Sequence, residues 1–420
     1  MRMLPLRMPL DRLFRRLIAH GSLRVTWPDG GISRYEGAPG QAAHVALKDW
    51  RTVRRLVADP ALGCGEAYMD GGFVPVGCSL YEVLDLLVAN LAQAGYPHPA
   101  MRAGAALRRL VRRLAQFNPG GRARRNVAHH YDLNGRLYSL FLDRDRQYSC
   151  GYFPTGGETL EEAQAAKKRH IAAKLLLDRP GLEVLDIGCG WGGLALSLAR
   201  EHGARVTGIT LSTEQLGEAR ARAAAEGLGE RVRFELMDYR AMERRFDRIV
   251  SVGMFEHVGV PQYGAFFEVM RRCLAPDGVA LLHAIGRQGV PEATNPWITK
   301  YIFPGGYCPA LSEVLPWVER AGLMTTDIEF LRLHYAETLR HWRKRFLANR
   351  ERIKHIAGYD DRFCNMWEFY LAGCEVAFRY MNQMVFQIQI ARRQDAVPMT
   401  RDYMLEVERD LGARKSIAAE

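Results

Sequence analysis

The segment Leu182-Glu183-Val184-Leu185-Asp186-Ile187 runs into Gly188-Cys189-Gly190-Trp191-Gly192-Gly193 and then directly into a helical pattern from Leu194 to Arg200. A short apolar run that ends in glycines and restarts as a helix reads as strand, tight loop and crossover helix. That commits this part of the chain to a parallel sheet. The next hundred residues keep the same rhythm. RVTGITLS (205–212) precedes a helical pattern from Gln215 to Glu226. VRFELMD (232–238) and FDRIVSVGMF (246–255) precede another around Phe266 to Leu274, and GVALLHAIG (278–286) closes the series. Strands alternating with helices predict an α/β fold with a doubly wound sheet. Beyond residue 320 the chain reads as mainly helical, most clearly at 367–381.

Glycines at the carboxyl end of a first strand let a ligand approach the backbone there. Gly188, Gly190 and Gly193 satisfy G-x-G-x-x-G, a dinucleotide pattern. The second strand, however, ends in Gly208-Ile209-Thr210, with no carboxylate at its tip for a ribose diol. S-adenosylmethionine suits the loop better. Asp186 stands two residues before the first glycine, and Asp238-Tyr239 follows the third strand, where an adenine would lie. From the loop alone a nucleotide-type ligand is expected, and the methyl donor is the better of two choices.

The front of the chain is built differently. Of the net charge of +11, residues 1–125 carry +10, from 19 Lys+Arg against 9 Asp+Glu. A basic front on a neutral body points to an anionic partner. Residues 2–20 set Leu4, Met8, Leu13, Leu17 and Ile18 among Arg2, Arg7, Arg12, Arg15 and Arg16. Residues 101–125 carry eight arginines and no acid around a helical pattern of Leu107, Leu110, Val111, Leu114 and Phe117. This second stretch reads equally as a solvated inter-domain helix or as a helix for an anionic surface. No nucleic-acid motif accompanies the charge, so lipid is favoured over nucleic acid.

Between the two basic stretches, residues 23–37 read as strand, Pro28-Asp29-Gly30-Gly31 turn and strand. Trp50 to Asn90 then alternates helical patterns with a loop at Gly71 and Gly72. Residues 1–95 are therefore expected as a small α+β module, 96–125 as a basic helical linker and 126–420 as the main domain. A chain of 420 residues has room for two domains. No apolar run is long enough for a transmembrane helix. Arginines threaded through the first residues do not make a signal-peptide layout. Eight cysteines without paired spacing predict free thiols in a reducing cytoplasm and no metal site.

Seven blocks narrow the reading further: YSCGYF (148–153), DIGCGWGG (186–193), TLSTEQ (210–215), DRIVSVGMFEHVG (247–259), LLHAIG (281–286), WITKYIFPGG (297–306) and YLAGCEVAFR (370–379). In this order they resemble the cyclopropane-fatty-acyl-phospholipid synthases and, more loosely, the mycolic acid methyltransferases. The likeness spans roughly residues 126–395, and residues 1–95 resemble the N-terminal lipid-binding domain of the bacterial phospholipid enzymes. The resemblance implies a class I, Rossmann-like S-adenosylmethionine methyltransferase domain with helical lipid-pocket insertions. Its implied substrate is the cis double bond of an acyl chain in a membrane phospholipid. Methyl transfer to that alkene leaves a carbocation, which closes to a cyclopropane once a bound bicarbonate has taken a proton. A methyl-branched or methylene product is the alternative fate of the same cation. A non-enzymatic lipid-transfer protein is the competing class, and the intact glycine loop and the Glu256/His283 pair speak against it. The implied setting is cytoplasmic, peripheral on the inner face of an anionic membrane, with a homodimer as a candidate assembly.

Carried onto this chain, the resemblance implies a bicarbonate cage of Cys150, Glu256, His283, Ile285 and Tyr335. Taken alone, Cys150 reads equally as a small buried residue, His283 in VALLHAI as a core histidine and Tyr335 as a packing residue. Glu256 follows the fourth strand, where ligands sit, and reads as a site residue. Cys374 lies on a helical stripe with Trp367, Tyr370, Leu371 and Phe378. The family has carried a proposal that this cysteine is a nucleophile. Alkene methylation needs no thiol adduct, so Cys374 is expected first as pocket lining and only second as catalytic. For the donor, the resemblance implies Tyr148 and Ser149 at the ligand, with Asp186, Gly188, Cys189, Gly190, Trp191 and Gly192 in the loop. Thr210, Leu211, Ser212 and Gln215 follow the second strand, with Thr210 and Gln215 in place of a ribose carboxylate. Asp238 and Tyr239 stand at the adenine.

Overall fold

The computed structural model describes residues 4–94 and 135–417; the expected linker 96–125, with its eight arginines, lies outside them. The described residues fall into two compact units that alternate along the chain. Unit one holds residues 4–94, 292–304 and 336–383, and unit two holds 135–291, 305–335 and 384–417. Unit one thus takes up two segments that lie, in sequence, within the expected 126–420 domain.

In unit one, β1 (His20–Thr26), β2 (Ile32–Glu36), β3 (Ala38–Leu47) and β4 (Phe73–Pro75) form a sheet of order β2-β1-β3-β4. The Pro28–Gly31 turn joins β1 and β2 as an antiparallel pair, as its sequence predicts. β3 runs parallel to β1. Its sequence, APGQAAHVAL, carries little strand propensity, so local pattern alone does not predict it. The helix Leu4–Leu17 turns Leu10, Phe14 and Leu17 into a core shared with Val25, Trp27 and Tyr35. Arg7 lies 4.7 Å over the Trp27 ring and donates to Ser33 Oγ at 2.6 Å, while Arg15 pairs with Asp11 at 2.9 Å. Burial of Leu10, Phe14 and Leu17 leaves Arg12, Arg15 and Arg16, together with Met8, as exposed side chains that this helix offers an outside partner. The helix Asp361–Tyr380 adds Ala372 and Val376 to the same core.

Unit two is built on a seven-stranded sheet. β5 (Glu183–Ile187), β6 (Arg205–Thr210), β7 (Val232–Leu236), β8 (Phe246–Val252), β9 (Leu274–Arg287), β10 (Met324–Leu331) and β11 (Gln383–Ala391) take the order β10-β11-β9-β8-β5-β6-β7. β5 to β9 pair in parallel, and β10 with β11 antiparallel. Alternate residues of β5 feed two cores. Val184 packs with Leu196, Val206 and Leu281, whereas Leu185 and Ile187 pack with Ile249, Phe266 and Leu282. Burial on both faces is why these strands read as apolar runs rather than alternating ones. From β5 the sheet grows one way through β6 and β7 and the other way through β8 and β9. A ligand crevice therefore opens where β5 meets β8.

β10 and β11 come from the stretch whose sequence reads as mainly helical. Gln387 and Gln389 interrupt the apolar run of β11, yet both are buried. They are tolerated because they hydrogen-bond: Gln387 Nε2 to His283 Nδ1 at 3.1 Å, and Gln389 Nε2 to the Lys174 carbonyl at 2.6 Å.

Candidate active site

At the carboxyl ends of β5 and β6 the backbone leaves a cavity of about 1210 Å³, counting its open mouth. The glycine loop forms its floor. Gly188 has φ +85°, and a Cβ there would stand 2.7 Å from Met254 Cβ; Gly190 has φ +54° with open space beside it. Both positions need the left-handed backbone that glycine adopts without cost, and the space beside Gly190 belongs to the cavity. Tyr148, Ser149, Asp186, Cys189, Trp191, Thr210, Leu211, Gln215, Asp238 and Tyr239 complete the wall with the two glycines. Two residues of the expected set are not among the lining: Gly192 and Ser212. Ser212 instead caps the helix Thr213–Ala225, accepting from the Gln215 backbone N–H at 3.2 Å.

Local hydrogen bonds hold this wall. Thr210 Oγ1 donates to Gln215 Oε1 at 3.0 Å, tying the end of β6 to the helix after it. Asp238 accepts from the Arg240 backbone and its guanidinium at 3.1 and 2.6 Å, which opens the turn that presents Tyr239. Tyr138 packs against both Tyr148 and Trp191, with centroids 5.3 and 5.1 Å away. Asp186 is buried with Oδ2 unpartnered, and burial pushes its carboxyl up to about 7, opposed by the positive charge of Lys167. An orphaned acceptor beside a glycine loop suits a ligand that brings its own hydrogen-bond donors.

A second group of polar residues lies around the ends of β8 and β9. Glu256 sits in the turn Phe255–His257 directly after β8, and its Oε1 accepts from the Ile285 backbone N–H at 2.6 Å. Oε2 is buried without a partner, and burial pushes the carboxyl up to about 7. His283 lies two residues before Ile285 on β9 and is paired in register with Val252 of β8. Burial holds its imidazole well below the usual range, so it is neutral. Met254 and His257, on either side of Phe255-Glu256, line the cavity. Cys150 and Tyr335 are both buried. Their segments meet where the Phe153 backbone N–H donates to His334 Nδ1 at 2.9 Å.

Cys374 belongs to unit one and is not among the residues lining the cavity. Burial pushes its thiol up to about 12, far from a reactive thiolate. All eight cysteines are free. Sequence reasoning missed other lining residues, among them Arg146, Gln147, Met254 and Gln262. It also missed Lys167, buried directly behind Gln147 and Ser149. The signal was present: Lys167, His170 and Lys174 recur on the same buried stripe of the helix Leu160–Lys174 as Ala163 and Ile171.

The family model for mycolic acid cyclopropane synthetase matches residues 120–388. A cyclopropane-fatty-acyl-phospholipid synthase of Escherichia coli is 39% identical over 366 residues, 86% of this chain and 90% of that one. The chain belongs to the mycolic acid cyclopropane synthetase family. A tuberculostearic acid methyltransferase of Mycobacterium tuberculosis is 36% identical over 400 residues, covering 91% of this chain and 90% of its own. The crystal structure of a mycolic acid cyclopropane synthase complexed with SAH and CTAB superposes with a TM-score of 0.60 at 33% identity, over 66% of this chain and 99% of that one. The doubly wound unit two is accordingly a class I, Rossmann-like S-adenosylmethionine-dependent methyltransferase domain. Its cavity suits the family's donor on its own evidence, through the open Gly190 backbone and the unpartnered Asp186 oxygen. Among the described residues no cluster is arranged to hold a metal ion, and no helix is long and apolar enough to cross a membrane.

Proposed function

We propose that this protein converts the cis double bond of an unsaturated phospholipid acyl chain into a cyclopropane. S-adenosylmethionine, when bound, supplies an electrophilic methyl group that the alkene takes up, leaving a carbocation on the acyl chain. The chain's own residues would hold that donor: the open 188–190 backbone would let it come close, Asp186 would accept from it, and Tyr148 and Tyr239 would offer aromatic faces. Bicarbonate, when bound among Cys150, Glu256, His283, Ile285 and Tyr335, supplies a base that takes one proton from the transferred methyl, so that the ring can close. The observation that carries this reading is the buried, unpartnered Oε2 of Glu256, one residue from the cavity wall. It is an acceptor waiting for a donor hydroxyl, and the neutral His283 nearby adds no competing positive charge.

The same donor and lipid allow a methyl-branched or methylene product, and the relative described as a tuberculostearic acid methyltransferase favours keeping that second reading. Mass spectrometry of lipids from a host expressing the protein, after double-bond-specific derivatisation, separates the outcomes. Gain of a CH₂ group for each double bond lost, with no remaining alkene and no branching methyl, supports the ring. The basic front end is proposed to hold the protein on anionic lipid.

A further inference from the structure

Behind the donor cavity lies a buried cation that the proposed reaction does not use. Lys167, 1% exposed on the helix Leu160–Lys174, donates to Gln147 Oε1 at 2.5 Å and to Ser149 Oγ at 2.8 Å. Both partners are neutral, and both line the cavity. From the same helix Gln164 Nε2 donates to the Ser149 carbonyl at 2.8 Å. One helix thus fixes residues 147–149 by side chain and by backbone.

A buried ammonium with only neutral hydrogen-bond partners is costly, so its retention needs a compensating use. The hydroxyl chemistry supplies one. An ammonium has no acceptor, so Ser149 Oγ must accept from Lys167, and the serine hydrogen is left to donate elsewhere. Ser149 faces the cavity, where an anionic group of the ligand can take that hydrogen. We propose that Lys167 is a positioning residue of the donor site, orienting the Ser149 hydroxyl as a hydrogen-bond donor to the carboxylate of the donor's amino-acid end. This rests on the methyl-donor reading of the cavity.

Neutral Lys167 gains a lone pair and can accept from Ser149, turning the hydroxyl away from the ligand. Burial brings the lysine down to about 8, so this reversal falls in an accessible range. The titratable groups around it are Asp143 and Asp145 before the Gln147 segment, Lys168 on its own helix, Cys150, Asp186 on β5 and the neutral His283 on β9. Asp145 is already engaged by Lys168 and Arg222, and Asp143 by the Gln147 and Asp145 backbones. Neither supplies Lys167 with a direct ion pair.

The test is calorimetry of S-adenosylhomocysteine binding to wild type, Lys167→Met, Ser149→Ala and the double variant between pH 7 and 9. Lys167→Met and Ser149→Ala are each expected to weaken binding roughly tenfold at pH 7, the scale of one charge-assisted hydrogen bond. The double variant should lose no more than either single one. The ligand's own amino group also begins to lose its proton towards the upper end of this range. The readout is therefore the difference between profiles: wild type should lose affinity towards pH 9 more steeply than either variant. Additive losses, or a folded Lys167→Met with wild-type affinity and profile, overturn the proposal. Should Lys167→Met not fold, Ser149→Ala decides, because it leaves the ammonium in place; a profile parallel to wild type then overturns it. A wild type that binds no S-adenosylhomocysteine at any pH would sink the donor-site reading itself.

Discussion

The backbone N–H of Ile285 on β9 donates to Oε1 of Glu256, which follows β8, at 2.6 Å, and this fixes the carboxyl group with its second oxygen buried and unpartnered. One hydrogen bond between neighbouring strand ends thus presents an acceptor without neutralising it. The carboxyl is pushed up to about 7, poised between its two protonation states near neutrality. Glu256→Gln and His283→Ala should each lower turnover about 10²-fold, the scale for losing acid–base assistance. Calorimetry should show S-adenosylhomocysteine affinity within a few-fold of wild type. Bicarbonate added to a carbonate-depleted assay should raise wild-type turnover. Activity indifferent to bicarbonate, with both variants active, removes the cage.

Gly190 tests the donor loop. A valine there would need φ near +54° and would put a branched side chain into open cavity space. Gly190→Val should fold with a modest loss of stability, about 1–3 kcal/mol for the strained backbone. Donor affinity should fall below detection by calorimetry. A folded variant that binds with native affinity rejects the loop assignment.

Stability should depend on pH through Glu256. Its folded value, about 7, lies above the ordinary 4.5, so the folded state binds the extra proton between these values. The stability contributed is full below about 4.5 and is lost as pH rises towards about 7, on the order of 3 kcal/mol in all. His257, pushed by burial down to about 4, works in the opposite direction, so the comparison must be with a variant. Urea titrations at pH 5 and 7.5 should show Glu256→Gln losing less stability over this interval than wild type. Equal changes would count against a buried, elevated carboxyl.

Cys374 should be dispensable for chemistry. With its thiol at about 12, almost none is ionised at neutral pH. Cys374→Ser is expected to retain turnover within about tenfold, the cost of repacking rather than of removing a nucleophile. A loss of several orders of magnitude in a folded protein would restore the nucleophile hypothesis.

Membrane attachment should be electrostatic. Leu10, Phe14 and Leu17 of the helix Leu4–Leu17 are already buried in unit one and Met8 stays exposed, so among the described side chains one methionine is what it has to insert into a leaflet. Binding to vesicles containing phosphatidylglycerol should exceed binding to neutral vesicles. High salt should release the protein, because screening shortens these attractions to about 8 Å at physiological ionic strength. Replacing Arg108, Arg109, Arg112 and Arg113 with Gln should weaken it further, at about 1 kcal/mol per charge lost near the surface. Equal binding to neutral vesicles would assign the basic surplus another purpose.

The sequence by itself determined the doubly wound half of the molecule. Its signals are local: glycines directly after Ile187, and apolar strands at β5, β6, β8 and β9 whose two buried faces leave a continuous run. Motif order then pointed to the family and to Glu256 and His283. Local pattern could not yield β3, whose four alanines, proline and glycine carry no strand preference, nor β11, whose glutamines look like surface residues. Only tertiary structure decided those, because the Gln387 amide N–H finds its acceptor in His283, 104 residues earlier in the chain. The same holds for Lys167 and for the second oxygen of Glu256. Burial sets their protonation and their partners, and burial is a property of everything packed around a residue, not of the residues beside it in sequence.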